Sequence, residues 1–150
     1  YANKDERFKV IHKLNAGVSA ARNTALDLVK GEYICFVDSD DVLHSEYLSK
    51  LFEPTKISEV DVVYCGYTMF YNEIKFKKDN IVAINKIDAL DGIDLFDRLM
   101  KQGFGIPLWN KLYRLELLKN NSIYFNENSS YGEDMFFNWK VFLLSKKFLM

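Results

Sequence analysis

YICFVDSDD, residues 33–41, decides how the chain is read. Tyr33 to Val37 is too short for a helix and too continuously apolar for a strand with one wet face. The run predicts a central strand buried on both faces, as in a parallel sheet. Asp38, Ser39, Asp40 and Asp41 end it abruptly and fall at the carboxyl edge of the sheet, where open α/β folds bind ligands. Asp38 and Asp40, two residues apart, can both turn toward one point above that edge. Carboxylates this close repel each other unless a cation sits between them. Mg²⁺ or Mn²⁺ suits such a pair, because either takes one or two carboxylates and completes its shell with water and substrate phosphates. The plainer alternative is an Asp-rich turn in which Asp38 caps the next segment and Asp40 and Asp41 face water.

Working outward, Ser19 to Gly31 (SAARNTALDLVKG) predicts a helix capped by Ser19, with Lys30 in its last turn and Gly31 as its stop. Before it, Phe8 to Ile11 (FKVI) is a short strand candidate. After the acidic turn, Ser45 caps a helix of sequence EYLSKLFE whose Tyr47, Leu48, Leu51 and Phe52 share a face, and Pro54 stops it. Asp61 to Cys65 predicts another buried strand, and Gly66 to Tyr71 continues into a further one. Residues 72–86 are polar and Lys-rich, a loop or exposed hairpin. Asp91 opens a helix through Gln102 with Ile93, Phe96 and Met100 on one stripe and Gly103 as its end. Trp109 to Arg114 is short and aromatic, and Leu115 to Asn121 forms one or two helical turns. Gly132 leads into a last helix, EDMFFNWKVFLLS, with Phe136, Trp139 and Leu143 facing inward. The order β-α-β-α-β argues an α/β domain. A minor first strand and a last helix running into KKFLM make both ends look cut from something longer.

The chain has 150 residues, 49% of them hydrophobic and 27% charged, proportions that exclude a disordered tail, a collagen-like fibre and a coiled-coil rod. Lys and Arg number 20 against 21 Asp and Glu, so the basic excess of a nucleic-acid-wrapping protein is absent. Cys35 and Cys65 each sit in an apolar run without metal-ligand spacing, and read as buried free thiols in a reducing compartment. The opening YANKDERFKV holds no hydrophobic signal region, and no apolar run approaches the ~20 residues of a membrane span, so a cytoplasmic protein is expected. Two matches to the glycosylation acceptor pattern, at Asn120 and Asn128, carry little weight in that setting. His44 reads as the residue before a helix cap rather than a metal ligand, and His12 still more weakly as one. Lys75, Lys77 and Lys78 read as a solvated face rather than a membrane-docking patch.

Two known architectures fit the acidic turn poorly. A calcium loop of EF-hand type would carry Gly and Glu at the sixth and twelfth positions from Asp38, where this chain has Leu43 and Ser49. A phosphohydrolase of haloacid-dehalogenase type also begins with a strand and an Asp-x-Asp, but the Thr two residues beyond is Val42 here. By contrast, NAGVSAARNTAL followed by GEYICFVDSDDVLHSEYL resembles the central block of family 2 glycosyltransferases. Trp109-Asn110-Lys111-Leu112-Tyr113 and Tyr131-Gly132-Glu133-Asp134 resemble that family's later segments, in the expected order. The flavour is similar to bacterial enzymes that build capsule, exopolysaccharide or teichoic-acid glycans, and the likeness spans essentially the whole chain.

The resemblance implies a GT-A-like, Rossmann-like mixed sheet flanked by helices, in a single domain over residues 1–150. It implies an inverting, metal-dependent transfer of a sugar from a nucleotide-diphosphate donor, most naturally a UDP-sugar, to a hydroxyl of a glycan or lipid-linked acceptor. No nucleic acid is implied, and a peripheral contact with the inner membrane face is compatible with such a role. Position by position, Asp38 and Asp40 match the metal motif. Asp40 is the direct ligand of Mn²⁺ or Mg²⁺, Asp38 faces the ribose or the metal through water, and Asp41 assists nearby. Gly17, Arg22 and Asn23 fall in the segment lining the donor pocket, with Arg22 near the diphosphate. Glu133 and Asp134 match the acidic pair that supplies the catalytic base, Asp134 being the base itself and staying ionised at a helix start. Trp109 is a platform for the acceptor sugar or, equally, a core Trp. The family's usual opening, a βαβ unit with a VIIPVYN-like strand and a DDGS-like turn, does not occur here. The reading is therefore of a fragment, incomplete at the N-terminus and truncated at both ends. Residues 1–150 alone are expected to bind donor weakly or not at all. The two competing readings are the phosphohydrolase, with Asp38 as nucleophile, and an inactive sugar- or nucleotide-binding fragment.

Overall fold

A computed structural model describes residues 2–67 and 107–149. Four strands form one mixed sheet: β1 (Tyr33–Cys35), β2 (Val62–Tyr64), β3 (Lys111–Arg114) and β4 (Phe148–Leu149), in the order β1-β3-β2-β4. β3 runs antiparallel to both neighbours, pairing Ile34 with Tyr113 on one side and Val63 with Leu112 on the other. β4 lies parallel to β2, with Val62 opposite Phe148. Among the described residues four α-helices accompany the sheet: α1 (Gly17–Leu28), α2 (Tyr47–Phe52), α3 (Leu115–Asn120) and α4 (Glu133–Leu144). The expected α/β class with a mixed sheet is what the chain adopts.

The period-two alternation of strand side chains divides the interior between the sheet's two faces. Ile34, Val62, Tyr64, Tyr113 and Phe148 point into a larger core with Leu26 of α1 and Phe137, Val141 and Phe142 of α4. Tyr33, Cys35, Val63, Leu112 and Leu149 point the other way, into a smaller core closed by Leu51 of α2. At the centre of the larger core, Phe36 meets Tyr113, Phe125 and Phe137 edge-on with ring centroids 5.4–5.9 Å apart. Such contacts add to the burial of large rings. Phe36 thereby anchors the last apolar residues of the YICFV run, immediately before the acidic turn.

Several sequence expectations need correction. Phe8 to Ile11 is not a strand: the segment is irregular and Phe8, Val10 and Ile11 are exposed, with no neighbouring strand among the described residues to take up its backbone groups. β1 is three residues long and half-buried, and it is the outermost strand of the described sheet rather than its centre. The apolar run was a sound signal for a strand, but Val37 turns to solvent once Phe36 is packed. α1 begins two residues before Ser19. The Asn15 carboxamide accepts from the Gly17 N–H at 3.1 Å, and Ser19 is buried with no capping bond. It also ends at Leu28, where Val29 turns extended, well before Gly31.

α2 starts without Ser45 as a side-chain cap. His44 supplies the start instead, its Nδ1 accepting from the Glu46 N–H at 3.2 Å. The α-helix does end just ahead of Pro54, at Phe52, and Pro54 sits in the first turn of a 3-10 segment, Glu53–Lys56, where its missing N–H costs nothing. Leu51 is the one fully buried member of the predicted α2 stripe, and Leu48 and Phe52 remain exposed. On α4 the inward face is Phe137, Asn138, Val141 and Phe142, not Phe136, Trp139 and Leu143. Phe136 and Leu143 are exposed, and Phe136 and Trp139 instead meet edge-on, centroids 5.3 Å apart. Both stripes have helical spacing on a helix that is apolar nearly all round, so periodicity alone does not choose between them. The expected strand through Tyr71, the Lys-rich stretch with Lys75, Lys77 and Lys78, and the helix from Asp91 lie outside the described residues beyond Tyr67. Among the described residues no helix is long and apolar enough to cross a membrane.

Candidate active site

The site is assembled by three segments far apart in sequence. The first is the acidic turn that follows β1. The second is α1, which carries Arg22 toward that turn. The third is the start of α4, where Gly132 adopts φ +73° as the residue before the first helical turn. A left-handed backbone there is available to glycine at little cost and swings the chain sharply into the helix. The swing puts Glu133 and Asp134 in the first turn, where carboxylates favour the positive end of the helix dipole.

Arg22 joins all three. Its Nη1 donates to Asp134 Oδ1 at 2.5 Å and lies 3.6 Å from Glu133 Oε1, while its Nη2 reaches Asp38 Oδ1 at 3.4 Å. The guanidinium stacks over the Phe125 ring, 5.3 Å from its centroid, and its side chain is only 15% exposed. Electrostatics at Asp134 are finely opposed. Burial pushes its carboxyl up, Arg22 pulls it down, and the neighbouring charges of Glu133 and Asp38 push it up again. The outcome is a raised carboxyl, a better proton acceptor than an exposed aspartate.

One buried charged group, Lys111, which senses the charge of Asp134, was missed by sequence reasoning. Lys111 is fully buried on β3, its Nζ donating to Asn110 Oδ1 at 2.8 Å and to the Pro107 carbonyl. The rings of Tyr64 and Phe142 flank it at 6.0 Å each. Burial pulls this amine down to about 7, with the charges of Cys65 and Asp134 opposing that fall. Next to it on the same strand face, Tyr113 donates to Asn138 Oδ1 at 2.8 Å, and burial holds its phenol firmly protonated. WNKLY gave a warning only in hindsight: a charged residue inside an aromatic run is either solvated or fully satisfied by local carbonyls.

The other expected residues fall in different surroundings. Asp40 and Asp41 are exposed on the turn, and no hydrogen bond or ion pair ties Asp40 to the Arg22 cluster. Burial first, and then the charges of Asp38 and Asp40, raise the Asp41 carboxyl. Among the described residues no group of three or more His, Cys, Asp or Glu forms a closed metal cage. Two hard oxygen donors at an open edge nevertheless fit Mg²⁺ or Mn²⁺, which leave positions for water and phosphate oxygens. Gly17, at φ +87°, borders a cleft of about 200 Å³ that Ser19, Ser129 and Glu133 also line, beside the cluster. Asn23 is buried and its carboxamide is taken up internally. It accepts from the Phe125 N–H at 2.9 Å and donates to the Phe125 carbonyl and to Glu127 Oε1. Trp109 is half-buried, edge-on to Tyr67 at 4.7 Å, and its carbonyl accepts from the Tyr47 hydroxyl. No described contact joins Trp109 to the Arg22 cluster. A larger hollow of about 360 Å³, lined by Glu32, Glu59, Arg114 and Glu116 among others, holds none of the expected residues.

Comparison with known proteins reaches the same segments. The chain is 32% identical over 143 residues to the uncharacterized glycosyltransferase EpsJ of Bacillus subtilis, covering 95% of this chain and 42% of that protein. It is also 32% identical over 149 residues to the poly(ribitol-phosphate) beta-glucosyltransferase of Bacillus spizizenii, covering 98% of this chain and 22% of that one. Among solved structures, Staphylococcus aureus TarS 1-349 in complex with UDP-GlcNAc superposes with a TM-score of 0.70 at 25% identity. The overlap covers 89% of this chain and 36% of the TarS chain. The fold is thus GT-A, seen here as part of the larger architecture, and the chain spans less than half the length of each of these relatives. The profile of Glycosyl transferase family 2 matches residues 1–136, which takes in the acidic turn, Arg22 and the Glu133-Asp134 pair together. With the motifs, the sheet order and the profile in agreement, the chain belongs to glycosyl transferase family 2.

Proposed function

We propose that this chain provides the catalytic core of an inverting glycosyltransferase that moves a sugar from a UDP-sugar to a hydroxyl of a bacterial surface glycan. One observation carries the reading: Asp38 of the turn after β1 and Asp134 at the start of α4 are brought to a single guanidinium at one edge of the sheet. Two carboxylates so placed can divide the work. Asp38 and Asp40 hold the donor side, and Asp134 takes the acceptor's proton. A divalent cation held by Asp40 and Asp38 would neutralise the charge that builds on the leaving diphosphate. The chain's own residues do the rest. The cleft beside Gly17 seats part of the donor, and the half-buried Asp134 receives the proton as the acceptor oxygen bonds to the oxocarbenium-like anomeric carbon. One displacement from the opposite face inverts that centre.

UDP-GlcNAc bound by a structural neighbour and the ribitol-phosphate polymer named for a relative support a nucleotide-sugar donor and a cell-surface acceptor. The phosphohydrolase reading is not favoured, since the family match and Val42 both stand against it. The test is a screen of UDP-sugars with Mn²⁺, Mg²⁺ or chelator on the full-length protein. Asp134→Asn should lower turnover by roughly 10²–10⁴-fold, the usual worth of a general base, while UDP binding by calorimetry is kept. Hydrolysis of phosphate esters with an aspartyl-phosphate trapped at Asp38 would overturn the proposal.

A further inference from the structure

We infer that Arg22 is the positioning residue for the base: it clamps Asp134 through Oδ1 and sets the other carboxylate oxygen, Oδ2, to receive the acceptor's proton. The inference rests on the transferase reading and adds to it a role for Arg22 different from direct service to the donor diphosphate.

The geometry favours the base over the diphosphate. Of the three carboxylates that Arg22 meets, Asp134 is the nearest, at 2.5 Å, and Glu133 shares the same Nη1 arm. Only the Nη2 arm points to the donor side, and its contact with Asp38 is longer at 3.4 Å. Among the described residues Asp134 Oδ2 accepts no hydrogen bond, so one oxygen is fixed and the other is left for chemistry. The guanidinium is itself held in place. Phe125 lies under it, and the neighbouring Asn23 locks α1 to the Phe125 backbone through two hydrogen bonds. Without Arg22, Glu133 and Asp134 lose the guanidinium that ties them to Asp38, and nothing else among the described side chains fixes the Asp134 carboxylate by a hydrogen bond. A lysine is a point charge on a flexible stem and does not span two sides as the planar fork does.

The experiment compares Arg22→Gln, Arg22→Lys and Arg22→Ala in the full-length protein, measuring kcat, donor KM and UDP affinity in Mn²⁺. The expected result is a kcat lower by about 10²-fold in Arg22→Gln, with UDP affinity essentially unchanged. Partial recovery is expected in Arg22→Lys, and a rise in kcat when guanidinium is added to Arg22→Ala. Retained UDP affinity also certifies that the variants fold. A fall in UDP affinity with kcat unchanged would overturn the inference and give Arg22 to the diphosphate. Unchanged kcat in all three variants would overturn it as well. Failure of the wild-type protein to transfer from any UDP-sugar would bring down the transferase reading itself, and this inference with it.

Discussion

At the scale of the residue, Lys111 shows how the fold tolerates a charge at its centre. The amine is surrounded by two rings and satisfied by a carbonyl and a carboxamide, which compensates part of its desolvation. Burial lowers it to about 7 in the folded protein, whereas an unfolded lysine keeps its proton to about 10.4. Between those values the unfolded chain binds the extra proton, so this residue's contribution to stability improves as pH rises and is at its worst below pH 7. Lys111→Met carries no such dependence. Chemical denaturation at pH 6 and pH 9.5 should therefore show the stability difference moving in favour of the wild type at the higher pH. A pH-independent difference would mean that Lys111 stays charged in the folded state.

Individual residues also mark where sequence reasoning succeeded and where it stopped. The positions of Asp38, at the end of an apolar run, and of Asp134, in the first turn of a helix that opens after Gly132, could be read locally, and the structure brings both to Arg22. Asn23 was legible as a residue of interest but not in its surroundings. Nothing in the text of the sequence says that its carboxamide meets the backbone of Phe125, about a hundred residues away. The link from Arg22 to Asp134 was hidden for the same reason: long-range pairing follows from the closed fold and not from local pattern.

At the scale of the element, α4 is the informative case. Its existence and start were evident from Gly132 and the two acids, but its rotation about its own axis was not. The observed face puts Phe137 flat against Phe125, centroids 4.1 Å apart and planes within 5°, and leaves Phe136 exposed. Phe137→Ala should cost about 3–5 kcal/mol by cavity formation, and Phe136→Ala well under half of that. Thermal or urea unfolding of the two variants checks the assignment, and equal losses would return the helix to the sequence-based orientation. The strands were short enough that their type was easier to read than their order. Nothing in YICFV told that an antiparallel β3 would come between it and β2.

At the scale of the whole molecule, β4 is the outer strand of the described sheet on its β2 side, and the segment before it is fastened to the start of β2. Asp61, just before β2, accepts from the backbone N–H groups of Lys146 and Lys147 at 2.7 and 3.0 Å, and its own N–H donates to the Lys147 carbonyl at 2.8 Å. The two charge-assisted bonds and the backbone bond lead into Phe148 and Leu149, which enter the two cores, one on each face. Asp61→Ala should loosen the segment 146–149. Amide exchange at Lys146 and Lys147 should speed up first, with a global loss of about 1–3 kcal/mol. Uniform loss across the sheet with no local acceleration would show that β4 is held by its apolar contacts alone.

The span of the Arg22 bridge has a bearing on synthesis. Arg22 and Asp134 are 112 positions apart, so a nascent chain exposes the acidic turn long before its counterpart has emerged. Until the later segment docks, Arg22 lacks its partners Glu133 and Asp134. A polypeptide lacking the segment from Gly132 onward would lack this paired arrangement altogether, with Asp38 the one carboxylate left to Arg22 among the described residues.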